Sequence, residues 1–199
     1  TVTAPGKSTY LFDRELGGKR HYAQLTVEVA PQKRGSGHAV ELSSTVRRRL
    51  PDEKLADCVE QGLTDGILTG VLARYPMTDV LATVTDAVFT DEETATDVAF
   101  RTAAVMGFRE AALAATPVLL EPIMSLDIVT PADYVGDIMG DINGRRGAIR
   151  DMTTRGDMQI VRASVPLAEL FGYSTVIRSL SRGRASYTMK YLEYAPVPS

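Results

Sequence analysis

The chain has 199 residues, with 22 Lys and Arg against 25 Asp and Glu and a formal net charge of −3. That length supports one large domain or two small ones with cores of their own, and the near-neutral balance excludes a global nucleic-acid signature, so any RNA contact must come from local patches. A single cysteine, Cys58, excludes an internal disulfide and suits a reducing, cytoplasmic compartment; no apolar run reaches the ~20 residues of a membrane span and no signal peptide is expected.

Tyr10 to Phe12 and His21 to Val29 have strand character, the second alternating Tyr22, Leu25, Val27 and Val29 with smaller or polar residues. Gly17-Gly18 breaks the two runs. Lys33-Arg34-Gly35-Ser36-Gly37 forms a polar loop before a third run, Ala39 to Val46, and Arg47-Arg48-Arg49 reads as an exposed turn. Pro51 followed by Asp52 and Glu53 suits the first turn of a helix, where the missing N–H costs nothing and acids favour the dipole. Within it Cys58 shares helical spacing with Leu55, Val59, Leu63 and Ile67, which predicts a core thiol. Gly70 ends this helix. Thr78 to Phe89 alternates again as a strand, and the acidic turn Asp91-Glu92-Glu93 leads into an alanine-rich helix to about Ala115, with Val98, Val105, Phe108 and Ala112 along one side. Pro117 stops it.

From there the order is cleaner. Val118 to Val129 is a strand, Pro131 to Asn143 a helix capped by Thr130 and closed near Gly144, and Ile149 to Thr154 with Met158 to Val165 a hairpin across Arg155-Gly156-Asp157. Leu167 to Leu180 is a second helix and Ala185 to Tyr194 the last strand. The succession is β-α-β-β-α-β, the ferredoxin-like split pattern. The expected fold class is α+β in two domains, 1–116 and 117–199, each folding on its own.

Four motifs in the second unit occur in a telling order: Pro-Val-Leu-Leu-Glu-Pro-Ile-Met from Pro117, Gly-Asp-Ile-Asn-Gly-Arg-Arg-Gly from Gly140, Val-Pro-Leu-Ala-Glu-Leu-Phe-Gly-Tyr-Ser-Thr from Val165, and Gly-Arg-Ala-Ser-Tyr-Thr-Met from Gly183. This series closely resembles the C-terminal domain of translation elongation factor G, the ribosomal translocase. More loosely, Gly17 to Gln24, Gly70 to Pro76 with Asp79, and Ala99-Phe100 through Phe108 to Ala111 resemble domain four of the same factor. The resemblance implies a ribosomal-protein-like first domain with a left-handed β-α-β crossover and a ferredoxin-like second domain. It also implies a monomeric, ribosome-binding fragment of a GTPase active in translocation. GTP and Mg would be held upstream, in sequence that the lack of an initial methionine leads us to expect, and this part would carry no cofactor or catalytic residue.

In the family, domain four reaches into the decoding region beside tRNA and mRNA, and domain five packs near the large-subunit RNA that activates GTP hydrolysis. The first tip loop is then Gly17 to Tyr22, where Gly17 and Gly18 permit close backbone approach and Lys19, Arg20 and His21 supply phosphate partners. The residues alone also read as a solvated hairpin tip. The second tip loop, Thr90 to Thr94, departs from the pattern: Asp91 falls where the translocase usually has a histidine, and with Glu92 and Glu93 it makes a loop that phosphate repels. That departure points to a specialised paralogue for ribosome recycling or protection; a stand-alone RNA- or protein-binding module is the remaining alternative. In the second unit Arg145 and Arg146 with Arg150 and Arg155, and Arg178 and Arg182 with Arg184, are candidate RNA contacts. Nine basic and nine acidic residues in that unit also allow plain solvated charge.

Other signals fail on spacing. Gly6-Lys7-Ser8 lacks the leading glycine of a phosphate loop and runs into strand-like sequence. His21, His38 and Cys58 are too few for a zinc site, no serine has a nucleophile-elbow context, and Gly140 to Gly144 lacks calcium-loop spacing.

Overall fold

A computed structural model describes residues 1–198, which form two compact units, 1–119 and 120–198. In the first, β1 (Gly6–Leu16), β2 (Lys19–Pro31), β3 (His38–Leu42) and β4 (Val80–Val88) make one sheet in the order β1-β2-β4-β3. The pairs are antiparallel except β3 with β4, which is parallel and joined by a helical crossover. The β1–β2 pairing persists from Gly6↔Val29 out to Leu16↔Lys19, whereas β4 covers β2 only from Gln24 to Pro31. The far end of the hairpin therefore projects beyond the sheet. Gly17 and Gly18, at φ 61° and 75°, close it as a two-residue turn with both residues in the left-handed region, which glycine adopts without strain.

The third run is shorter than the sequence suggests. Ser43 caps a short helix, α1 (Ser44–Arg49), by accepting from the Val46 N–H at 3.2 Å, so Val46 is a buried helical residue and not part of the strand. Arg47 to Arg49 form its last turn, with Arg47 paired to Glu53 and Glu60 and Arg49 to Asp86. The next helix, α2 (Glu53–Thr69), is capped by Asp52, so Pro51 lies outside it.

Helix α3 (Asp97–Ala114) is capped by Thr96. Its buried face is Ala99, Phe100, Ala103, Ala104, Phe108, Ala111 and Ala112; Val98, placed on that face by the sequence, is 48% exposed. Small residues decide this packing, because Gly62 and Gly66 of α2 meet Arg101, Ala104 and Phe108 so closely that a Cβ at Gly66 would lie 2.6 Å from the Phe108 ring. Leu55, Val59, Leu63 and Ile67 join this core, but Cys58 lies at its margin, half-buried.

The second unit is β5 (Leu120–Pro131), α4 (Val135–Gly144), β6 (Ala148–Arg155), β7 (Met158–Pro166), α5 (Tyr173–Leu180) and β8 (Ser186–Pro196). Its all-antiparallel sheet has the order β6-β7-β5-β8, and the element succession is the ferredoxin-like one. Leu126, Ile128, Val161, Ala163 and Val165 face Ile138, Ile142, Tyr173 and Ile177 of the helices. Both helices start later than the sequence suggests. Thr130 is a buried strand residue whose hydroxyl donates to the Pro131 carbonyl at 3.3 Å, and a 3-10 turn, Ala132–Tyr134, precedes α4. A second 3-10 turn, Leu167–Glu169, precedes α5, which begins after Gly172 at φ 74°.

Candidate functional site

The projecting hairpin and the loop after β4 meet at one end of the first unit. The Tyr22 N–H donates to the Thr94 carbonyl at 2.9 Å, and His21 Nδ1 lies 2.6 Å from the hydroxyl of Thr96, which in turn caps α3 by accepting from the Ala99 N–H. Residues 17–22 and 90–96 are thus tied into a single tip by hydrogen bonds from two elements. His21 is half-buried in this tie, which engages its Nδ1 and couples the hairpin to α3.

Arg20 is also committed. Its Nε and a terminal nitrogen hold both oxygens of Asp13 at 2.9 Å, and its guanidinium lies 5.2 Å from the Tyr22 ring centroid. The hydrogen bond from Arg20 holds the Asp13 carboxyl below its ordinary range. Lys19 is exposed and, among the described residues, without an ion-pair partner; Gly17 and Gly18 are exposed beside it at the extremity.

The second loop is a closed turn. Asp91 Oδ1 accepts from the Thr94 N–H at 2.8 Å and from its hydroxyl at 2.9 Å, while the Thr90 and Thr94 hydroxyls lie 2.7 Å apart. The Thr94 backbone donor is the main cause that holds the Asp91 carboxyl below its ordinary value, followed by the Thr94 hydroxyl. Asp91, although exposed, is therefore a structural anion of the loop, and Glu92 and Glu93 are exposed beside it.

The arginines of the second unit divide sharply. Arg145 donates to Asp141 Oδ2 at 2.7 Å and to the Glu169 carbonyl, and its guanidinium sits 5.0 Å from the Tyr173 ring centroid. Arg146, at φ 57°, grips both oxygens of the buried Glu121 at 2.7 and 3.1 Å and reaches Glu169 at 2.9 Å. These bonds push its pKa upward and hold Glu121 below the ordinary carboxylate value. Both side chains fasten the unit internally, contrary to a primary role in gripping RNA. Arg178, Arg182 and Arg184 are exposed around the carbonyl end of α5, where cations complement the helix dipole, and form no ion pair among the described residues.

Sequence reasoning missed Asp13, Glu121 and Glu169 as partners. A two-residue turn puts Asp13 on the diagonal from Arg20, so that pair was within reach of the register; the Glu121 and Glu169 pairs span 25 and 23 residues and carry no local signal. Elsewhere, burial pushes the Cys58 thiol above its ordinary value, which disfavours a nucleophilic role. No group of three or more His, Cys, Asp or Glu among the described residues is arranged to hold a metal, and no helix there is long and apolar enough to cross a membrane.

Comparison with known proteins accounts for both units. A crystal structure of a protein from Thermus thermophilus is similar to this chain, with a TM-score of 0.83 and 31% sequence identity, over 99% of this chain and 29% of that one. The chain thus spans less than a third of that protein's length. Domain IV of elongation factor G matches residues 1–116 and the elongation factor G C-terminus matches residues 118–199, so the chain belongs to the elongation factor G family.

Proposed function

We propose that the chain is a ribosome-docking arm of an elongation factor G-type translational GTPase, acting in translocation of tRNA and mRNA. The observation that carries this is the tip, where a glycine turn with a free Lys19 projects beyond the sheet and is braced against the 90–96 loop. A rigid, narrow element with exposed backbone and two unpaired cations, Arg14 and Lys19, is suited to enter an RNA-lined space, because phosphate contacts position without reading sequence. Arg178, Arg182 and Arg184 offer a second contact, to large-subunit RNA. GTP and Mg belong to sequence outside this chain.

Co-sedimentation with purified 70S ribosomes tests the proposal. The chain should pellet with ribosomes, more weakly as salt rises, and Lys19→Glu should weaken the association at low salt. Equal binding by both chains would remove the tip from the docking surface.

The acidic loop favours a second reading, a paralogue specialised for recycling or protection. Asp91 is engaged within its own loop, so the position where the translocase has a histidine offers no donor to RNA. Asp91→His in the parent factor should raise translocation activity if that histidine is what the parent lacks. An unchanged rate would return the reading to an ordinary translocase.

A further inference from the structure

The end of the first unit away from the tip is a separate surface. Gly6↔Val29, Pro31↔Val80 and His38↔Val80 place residues 31–38 and the start of β4 there, an 11-residue strand or roughly 35 Å from Gly17-Gly18, and residues 70–79 lead into β4. The chain as a whole carries −3, yet between residues 29 and 40 and between 66 and 85 the only acid is Asp79. Against it stand Lys33, Arg34 and Arg74, with His38 beside them.

Asp79 offers nothing to solvent. It is 2% exposed, and its Oδ1 accepts from the Gly35 and Gly37 N–H groups at 3.0 and 3.1 Å, while Arg34 approaches Oδ2 at 3.5 Å. Its carbonyl accepts from the Gln32 N–H at 2.8 Å. The carboxylate therefore fixes the shape of the 33–37 loop from inside and leaves the outer face positive. Lys33 and Arg74 are exposed and have no ion-pair partner among the described residues.

The neighbouring loop is equally well determined. Met77 N–H donates to the Ile67 carbonyl at 2.9 Å and Tyr75 N–H to the Leu72 carbonyl at 3.1 Å. Ala73 and Arg74 both take left-handed φ, 49° and 60°, a strained choice for residues with a Cβ. Gly70 sits so close beneath that a Cβ there would lie 1.8 Å from the Tyr75 carbonyl oxygen. Residues 73–76 are exposed, Tyr75 by 65%, next to Arg74.

We propose that Lys33, Arg74 and Tyr75 form a further RNA-binding surface, the two unpaired cations on phosphates and the Tyr75 ring stacked on an unpaired base. Unpaired cations with a protruding aromatic ring beside one of them match the phosphate-plus-stacking chemistry of RNA. A protein interface instead centres on an apolar patch with lysine depleted. The inference rests on the ribosome-docking reading for its biological partner and on these residues alone for its chemistry.

Fluorescence anisotropy of the full chain with a fluorescein-labelled RNA hairpin bearing a single-stranded loop tests it. Lys33→Gln with Arg74→Gln should weaken binding about tenfold and lower the log–log salt slope by about two, one per lost phosphate contact. Tyr75→Ala should weaken binding to the looped hairpin about tenfold and leave a fully paired RNA unaffected. Unchanged affinity and slope in both variants overturn the proposal. Loss of 70S co-sedimentation with hairpin binding intact also overturns it, since the partner is then a ribosomal protein. Loss of hairpin binding by the variants, with a wild-type chain that does not pellet with ribosomes, upholds this surface and removes the docking reading. Ultraviolet crosslinking of the unmodified chain to the same RNA gives a reading independent of variant folding. It should place a nucleotide on Tyr75, and crosslinks confined to residues outside 33–37 and 70–77 overturn the assignment.

Discussion

Asp91 is the residue at which charge and structure separate most clearly. Its carboxylate is held by the Thr94 N–H and hydroxyl, so its folded pKa lies below the ordinary 3.8. A depressed carboxyl contributes order that is complete above the ordinary value and lost as pH falls through the lower folded one. An NMR titration should find the Asp91 midpoint below 3.8, with the Thr94 amide shifting in step; a midpoint at or above that ordinary value would show the turn open. The arginines give a second contrast. Arg146→Ala strands a buried Glu121 and should lower the thermal midpoint, because a buried charge that loses its partner keeps its desolvation cost. Arg178→Ala removes an exposed cation whose only stabilising role is toward the α5 dipole, so it should lower the midpoint far less. Equal effects would contradict the division between fastening and free arginines.

At the scale of elements, two glycines at positive φ differ in what surrounds them. Gly17 projects into open space, so Gly17→Ala incurs only the left-handed backbone cost, about 1–2 kcal/mol. Gly70→Ala adds a collision with the Tyr75 carbonyl oxygen and should cost more, about 3 kcal/mol or above. Chemical denaturation of the two variants checks the order, and a reversed order would mean that the 70–77 loop yields easily. Gly70 and the Gly17-Gly18 break were both legible, because a glycine at the end of a periodic run needs no tertiary information. The strands and helices were legible for the same reason, down to the β-α-β-β-α-β succession. Helix starts were not. Pro131 and Leu167 open 3-10 turns, and Thr130 is drawn into the sheet by pairing with Gln159, a contact the local sequence does not encode. Ser43 capping α1 was overlooked because Ala39 to Val46 reads as one apolar run. Val98 is placed on the α3 face by apolar spacing alone, whereas the face that meets Gly62 and Gly66 is the one carrying Ala104 and Phe108. The tip loops could be named from sequence, but the Tyr22–Thr94 and His21–Thr96 bonds that join them link segments far apart in the chain.

Across the whole molecule, the partial phosphate-loop string becomes part of a sheet. Gly6 opens β1 paired with Val29, and a Cβ on it would meet the Ala111 carbonyl oxygen at 2.2 Å, so no space for a nucleotide phosphate exists there. Isothermal calorimetry should therefore detect no saturable GTP binding by this chain at micromolar concentrations, and such binding would place a nucleotide site where none has been described. The central claim is that the glycine tip is the part that enters the ribosome. Directed hydroxyl-radical probing addresses it most directly, with an iron chelate tethered to Lys19→Cys in a Cys58→Ala background and bound to 70S ribosomes. The account predicts strand breaks concentrated in small-subunit RNA around the decoding region and abolished by excess unlabelled chain. Breaks no stronger than those from free chelate, or confined to large-subunit RNA, would contradict it.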